Sequence, residues 1–413
     1  MWLARWLAAA GLIVTVAGCG SAESTNVPPA PTRAPSPAGS PVLGIDWGRA
    51  VAVERPAGFA VPSPGTSFSF SDARHPLHFS GQANMADIAR LPSGALVSVG
   101  SVYPGWYPVA WTSPDGASWT IGEMASTEFT FPVAMSVGSG DTIVAVGRSG
   151  PLPIAWTSSD GRVWQRHPVA TLGDGRVAER MTTVVATGDG YLAGGSVGPE
   201  LLDRHARFWR SRDGATWQPI RDDAETFDNA EVRSIARLGS GYVAIGAVGS
   251  VQKITGSVAW VSADGQTWTR IDAPALAAGR AVSIVGAPFG GVVAVGSDLG
   301  EHEAFAWVSR DGRSWTLAPS EPSRQFNKTI LMTDVTVVGD ELIAVGKYSP
   351  LQRSTATSWV SHDGLHWERA RSAAVQEQVE LYAVVSTGQG VLAIGSFGGP
   401  DDVTPTVLVS PPR

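Results

Sequence analysis

The amino-acid sequence predicts an all-β chain, a seven-bladed β-propeller of four-stranded antiparallel blades closed by pairing of its N- and C-terminal strands. Three observations predict it. A pattern W-x-S-x-D-G-x-x-W occurs six times, a short apolar run ending in glycine occurs seven times, and the two ends of the chain carry the two halves of one further unit.

The six copies of the pattern run from Trp111 to Trp119, Trp156 to Trp164, Trp209 to Trp217, Trp260 to Trp268, Trp307 to Trp315 and Trp359 to Trp367. Their aspartates, Asp115, Asp160, Asp213, Asp264, Asp311 and Asp363, lie 45 to 53 residues apart, in the range of propellers and solenoids. Asp-Gly between two apolar runs is a hairpin signal: glycine accepts a positive φ, and the Asp carboxylate accepts backbone N–H groups that the turn leaves unpaired. The flanking tryptophans fall on adjacent strands and supply apolar area for packing between blades.

The second element reads ALVSVG, TIVAVG, YLAGG, YVAIG, VVAVG, LIAVG and VLAIG, ending at Gly100, Gly147, Gly195, Gly246, Gly296, Gly346 and Gly395. Each follows a tight turn such as Ser93-Gly94 or Gly290-Gly291, and before the turn lies another apolar stretch, for example Met85 to Leu91. One repeat is thus four strands. With six boxes for seven such runs, the missing half-boxes come from Thr406 to Ser410 and from Gly44-Ile45-Asp46-Trp47 with the apolar run to Val53. Pairing these ends removes the exposed strand edges.

The repeat resembles the Asp-box, or BNR, repeat of sialidase-like propellers, over residues 42–413. Here Asp and Gly are adjacent in every copy, whereas the common form is S-x-D-x-G-x-T-W; the turn is correspondingly shorter. The resemblance implies the propeller fold and structural box aspartates. It also implies an alternative activity, a glycoside hydrolase of the sialidase type, with an arginine triad gripping a carboxylate and a tyrosine nucleophile. Arg180, Arg233 and Arg280 at first-strand starts, and Tyr382 in the last blade, are the residues that reading would use. The Arg-Ile-Pro motif of such enzymes is absent, Arg55-Pro56 being the nearest string.

Residues 1–18 read as a lipoprotein signal peptide: Arg5, an apolar run from Leu7 to Val16, then Ala17-Gly18 before Cys19. Cys19 is the only cysteine, so no intramolecular disulfide forms and its thiol is the expected acylation site. Residues 19–41, rich in Pro, Ser and Ala, read as a disordered spacer. A lipid-anchored domain on the extracytoplasmic face of the cell membrane is expected.

The net charge of -7 gives no footprint for nucleic acid. Histidines and acids have no metal-ligand spacing, no cofactor motif is present, and G-x-S-x-G, H-E-x-x-H and P-loop strings are missing. The expected function is therefore a non-catalytic binding or assembly platform, a monomeric propeller that takes a glycan, peptide or partner protein. Its site is expected on the face of variable loops. That face should carry Tyr103, Trp106 and Tyr107, Asp203, Arg204 and His205, Asp298 to Glu303, and Asp401-Asp402. Of the 16 tryptophans, only Trp106 falls outside the boxes, the closing strand and the signal peptide. Aromatics held by prolines and glycine present flat contact surface, which singles out Tyr103, Trp106 and Tyr107. Residues 57–83 form a long irregular stretch expected to pack over the channel mouth.

Overall fold

The computed structural model describes residues 51–53, 60–61, 77–78 and 83–410, except 103–105, 126–128, 139, 172–176, 199–203, 222–223, 251–252, 319–327, 351–353, 370–378, 389 and 398–403. The expected signal peptide, Cys19, the spacer, Trp47, Tyr103, Asp203, Asp401 and Asp402 lie outside the described residues. No helix among the described residues is long and apolar enough to cross a membrane.

The described chain is a succession of antiparallel four-strand repeats. Repeat 1 comprises Ala83–Arg90, Leu96–Val102, Tyr107–Ser113 and Thr120–Met124. Repeat 2 comprises Thr130–Val137, Ile143–Ser149, Leu152–Ser158 and Val163–Pro168. Repeat 3 comprises Glu179–Ala186, Tyr191–Val197, His205–Ser211 and Trp217–Pro219. Repeat 4 follows with Ala230–Leu238, Gly241–Gly249, Ile254–Ser262 and Thr269–Ile271. Repeat 5 has Gly279–Gly286, Val292–Asp298, Ala304–Ser309 and Thr316–Leu317. Repeat 6 has Lys328–Val338, Glu341–Pro350, Thr355–Ser361 and Glu368–Arg369. Repeat 7 has Val379–Ser386, Val391–Phe397 and Thr404–Val409, with Val51–Val53 as its fourth strand. Val51 pairs with Val409, Ala52 with Leu408 and Val53 with Val407.

Two features differ from seven separate four-stranded sheets. Repeats 1 and 2 merge into one eight-stranded sheet, because their outer strands pair in parallel at Glu123 with Val163 and Met124 with Trp164. Gly122 permits this approach: a Cβ there would lie 2.8 Å from the carbonyl oxygens of Gly161 and Arg162. Ala60–Val61 and Leu77–His78 form an additional two-stranded sheet inside the stretch expected to be irregular.

Each hydrophobic cluster is shared by neighbouring repeats. Val97 and Val99 of repeat 1 pack with Met135, Ile143 and Trp156 of repeat 2, and Met85 and Trp111 of repeat 1 pack with Leu392 and Val407 of repeat 7. This explains the unbroken apolar runs: Leu96–Val102 and Tyr107–Ser113 are buried along their whole length, so period-two alternation is lost. The outermost strands are short, and both residues of Glu368–Arg369 are exposed. The first strand of each repeat lies against that of the next, and Val379–Ser386 lies against Ala83–Arg90.

The repeated glycine of the second strand has a steric cause. Every first strand carries a bulge, between Met85 and Asp87 in repeat 1 and at the corresponding place in the other repeats. Opposite it, a Cβ on Gly100, Gly147 or Gly296 would stand 1.9, 1.8 or 1.8 Å from a first-strand carbonyl oxygen. Only glycine admits that backbone approach.

Candidate binding face

The box turns are built alike. In the second copy, Ser158 Oγ accepts the buried N–H of Gly161 at 2.9 Å, Asp160 Oδ1 accepts the N–H groups of Arg162 and Val163 at 2.8 and 3.2 Å, and the Trp164 ring N–H donates to the Gly161 carbonyl at 2.8 Å. Gly116, Gly161, Gly214, Gly265, Gly312 and Gly364 all have positive φ. The bonds from Ser118 and Ala117 hold the Asp115 carboxyl below its ordinary pKa, and those from Thr267 and Gln266 do so for Asp264. At Asp363, burial pushes upward but the His366 side chain and the turn N–H groups outweigh it, leaving about 2. Trp268 departs from the pattern: its ring stacks on Phe208 at 4.0 Å, and its N–H has no partner among the described residues.

These turns and the hairpins between first and second strands share one end of the sheets, as their antiparallel order requires. An open polar groove of about 940 Å³ lies at this end, lined by Asp189, Arg210, Asp213, Gln218 and Arg221 among others, with Arg210 paired to Asp189 at 3.0 Å.

The opposite end, where first strands begin, second strands end and third strands begin, carries the chemistry. Trp106, at φ 52°, enters the third strand of repeat 1 half-buried, its ring 5.4 Å from that of Phe131 at the start of repeat 2. The Trp106 carbonyl accepts the Thr130 N–H at 2.9 Å, which fixes the junction. Arg148, the cross-strand partner of Phe131, stands 4.6 Å over its ring. Phe129, at φ 58°, is 57% exposed. Bulky residues in this conformation carry strain of about 1–2 kcal/mol, and such strain concentrates at functional sites.

The sequence expectation of an exposed aromatic trio needs correction at Tyr107. The residue is buried, within the cluster shared by repeats 1 and 7. A third-strand position between two packed sheets overrides the Pro and Gly neighbours that suggested a surface loop.

Past Arg148, a small cavity between repeats 2 and 3 is lined by Gly150, Pro151, Ala178, Glu179 and Arg180. Beyond it, three arginines converge on one carboxylate. Glu231, buried, receives Arg180 Nε at 2.9 Å, Arg233 Nη2 at 3.0 Å and the buried Arg204 through Nη1. Ser196 Oγ joins Arg180 and Glu231. Burial pushes the Arg204 guanidinium below its ordinary pKa, Glu231 opposes this, and the charges of Arg180 and Arg233 add to the fall.

The residues of the glycosidase reading are thus placed in three settings. Arg180 and Arg233 meet, with Arg204 as their third member; Arg280 pairs with Glu301 at 2.6 Å, and the Tyr382 hydroxyl bonds Ser396 Oγ at 2.6 Å. Burial raises the Tyr382 pKa. His205 faces Asp228 at 3.1 Å, and Asp298 receives the N–H groups of His302 and Glu303. No group of three or more His, Cys, Asp or Glu side chains among the described residues is placed to hold a metal.

Sequence reasoning missed two half-buried aspartates, Asp87 and Asp334, each directly after its first-strand bulge. Burial pushes Asp87 up to about 7, with the charge of Asp334 adding to the rise, and pushes Asp334 up to about 6. The available signal was an acid inside an apolar strand in Met85-Ala-Asp87-Ile88 and Met332-Thr-Asp334-Val335.

Among solved structures, the chain is similar to YCF48 bound to D1 peptide, with 16% identity over 81% of this chain and 93% of that one and a TM-score of 0.53. The fold is a β-propeller. A protein from Lactobacillus plantarum matches with 10% identity over 75% of this chain and 94% of that one, at a TM-score of 0.50. A Trypanosoma rangeli sialidase matches with 9% identity over 80% of this chain and 55% of that one, at a TM-score of 0.48. No family model and no curated protein matches the chain at the sequence level.

Proposed function

We propose that this protein is a lipid-anchored extracytoplasmic propeller of seven blades, closed between Val51–Val53 and Thr404–Val409, that captures a peptide or partner protein without catalysis. Its binding face is the one where the first strands begin. The observation that carries this reading is the junction of repeats 1 and 2, where Trp106 is held at positive φ against Phe131 and Arg148. A strained aromatic in a half-buried position offers a rigid contact surface at low entropic cost. YCF48, a propeller of similar fold, binds a peptide.

The Asp-box turns serve as scaffold in this reading, since their carboxylates are engaged by their own backbone. The glycosidase alternative requires Arg180, Arg233 and Arg280 to act on one ligand beside Tyr382, whereas Arg280 pairs with Glu301 and the Tyr382 hydroxyl with Ser396, and neither is bonded to the Glu231 cluster.

The test uses the full chain in uncharged detergent, screened against peptide and glycan arrays. Trp106→Ala should weaken capture at least tenfold with an unchanged melting temperature, whereas unaltered capture would overturn the reading. Sugar release from a sialoside by the wild type, lost in Tyr382→Phe, would replace it with the glycosidase. Cys19→Ser tests the anchor by fractionation: the variant should leave the membrane fraction or stay unprocessed, and normal processing with retained membrane association would exclude acylation there.

A further inference from the structure

The binding face has two chemically distinct parts that meet at Arg148. On one side stand Trp106, Phe131 and the exposed Phe129, with exposed Leu152 and Val177 at the same end of repeats 2 and 3. On the other side stand Arg180, Arg204 and Arg233 with Glu179 and Glu231. The cavity between repeats 2 and 3 touches Arg148, Pro151, Glu179 and Arg180, so the two parts are continuous.

The charge here runs against that of the whole molecule. The chain has 37 acidic and 30 basic residues besides histidine, yet among the described residues this strip sets Arg148, Arg180, Arg204 and Arg233 against Glu179 and Glu231. Glu231 and Arg204 are nearly inaccessible, at 4% and 5% side-chain exposure. They form a buried brace that fixes Arg180 and Arg233, whose side chains remain 24% and 34% exposed. A guanidinium held in place loses little rotamer freedom when it meets a carboxylate, and its planar fork matches that partner. Guanidinium groups gathered in a recess of an acidic protein also steer anionic partners toward it.

We propose that this strip, from Trp106 to Arg233, docks an acidic peptide segment. Apolar side chains of the segment lie on Trp106, Phe129 and Leu152, and its carboxylates meet Arg148, Arg180 and Arg233. The proposal rests on the binding-platform reading and narrows its ligand. Aliphatic Leu152 and Val177 beside the aromatics favour a peptide over a sugar, and the net charge of -7 disfavours a polyanion such as nucleic acid.

The test measures fluorescence anisotropy of the full chain in uncharged detergent with labelled decapeptide pools. One pool mixes Glu and Asp with Leu and Phe, a second replaces the acids by Gln and Asn, and a third by Lys. The acidic pool should bind at least tenfold more tightly than the neutral one, weaken as salt rises, and lose at least tenfold on Arg233→Gln or Arg180→Gln. Arg148→Gln, which leaves the Glu231 brace untouched, serves if Arg180→Gln lowers the melting temperature. Arg313→Gln, in an exposed box turn at the opposite end of the sheets, should change nothing. Equal binding of the three pools, or acidic-pool binding indifferent to the Arg180, Arg233 and Arg148 substitutions, overturns the proposal. If no pool binds while a Trp106-dependent glycan or protein ligand is found, the acidic-peptide assignment fails and the platform reading stands. If nothing binds in either experiment, both fail.

Discussion

Asp87 Oδ2 accepts the backbone N–H of Met135 at 2.7 Å, so a half-buried aspartate of repeat 1 holds the first strand of repeat 2. Asp334 repeats the relation one step before the chain ends, accepting the Val384 N–H at 2.8 Å and a hydroxyl bond from Ser283 at 2.6 Å. Elsewhere hydroxyls make the same link: Ser136 Oγ accepts the Ala186 N–H at 2.9 Å, and Ser234 Oγ accepts that of Ile284 at 3.3 Å. The propeller is therefore tied near its first strands by side chain to backbone bonds, in addition to apolar packing between sheets.

Stability should fall as pH rises toward neutrality. An unfolded Asp titrates near its ordinary 3.8, whereas burial places folded Asp87 at about 7 and Asp334 at about 6. Between those values the native state binds more protons than the unfolded chain, so this contribution is complete below the unfolded pKa and is lost as pH climbs through the folded one. Each pH unit of that window is worth about 1.4 kcal/mol per group at most. Melting temperatures of the full chain should decline from about pH 5 to about pH 8, and the decline should shrink in the Asp87→Asn, Asp334→Asn double variant. Box aspartates act oppositely at the acid end: Asp363, held at about 2, contributes stability above 3.8 that disappears as pH falls toward 2. A wild-type profile flat from mildly acid to mildly alkaline pH would refute the assignment.

Within a box turn the serine should matter at least as much as the aspartate. Ser158 Oγ serves the buried Gly161 N–H, whereas the N–H groups of Arg162 and Val163 that Asp160 serves are exposed and water can replace it. Ser158→Ala should cost roughly 1–3 kcal/mol, and Asp160→Ala about 1 kcal/mol. Denaturant midpoints of the two variants decide it, and a distinctly larger loss for Asp160→Ala would reverse the ranking.

Much of the fold was legible because the repeat writes its constraints into fixed positions. The box turn needs Ser, Asp, Gly and Trp for separate hydrogen bonds and one positive φ, and the second-strand glycine marks the bulge opposite. The site was less legible, because it is assembled from positions where repeats differ. Arg204 was expected on the face of variable loops, but it is buried and paired with Glu231, 27 residues later. Arg180 and Arg233 were identifiable as first-strand arginines, yet nothing in the spacing said that they share a carboxylate while Arg280 does not. Tyr107 was misplaced because local Pro and Gly content says nothing about the sheet packed across it.

The glycine opposite a bulge should be less replaceable than one in an open turn. A Cβ on Gly296 would meet the Arg280 carbonyl oxygen at 1.8 Å, and no side-chain rearrangement relieves a backbone clash. Gly150, at φ 57°, has nothing within 4 Å of its Cβ position. Gly150→Ala should cost about 1 kcal/mol, from the left-handed backbone alone. Gly296→Ala should cost more, roughly 3 kcal/mol, with loss of ordered repeat 5. Thermal melts compare them, and equal melting temperatures would mean the bulge relaxes freely.

The strand Thr404–Val409 lies between Val391–Phe397 and Val51–Val53, so one chain end covers the edge that the other would expose. If this pairing closes the ring, its loss should matter beyond the few residues involved. An open end leaves a row of unpaired backbone groups on Thr404–Val409. Val51→Pro combined with Val53→Pro removes N–H donors opposite Val409 and Val407 without shortening the chain. The double variant should unfold at lower temperature and associate further than the wild type does at the same concentration. A matched pair of prolines at Ser36 and Ala38, in the expected spacer, should do neither. Light scattering during thermal unfolding reads both effects. A double variant that melts and scatters like the wild type would show that Val51–Val53 merely decorates a repeat already complete, and the seven-bladed ring would need another closing strand.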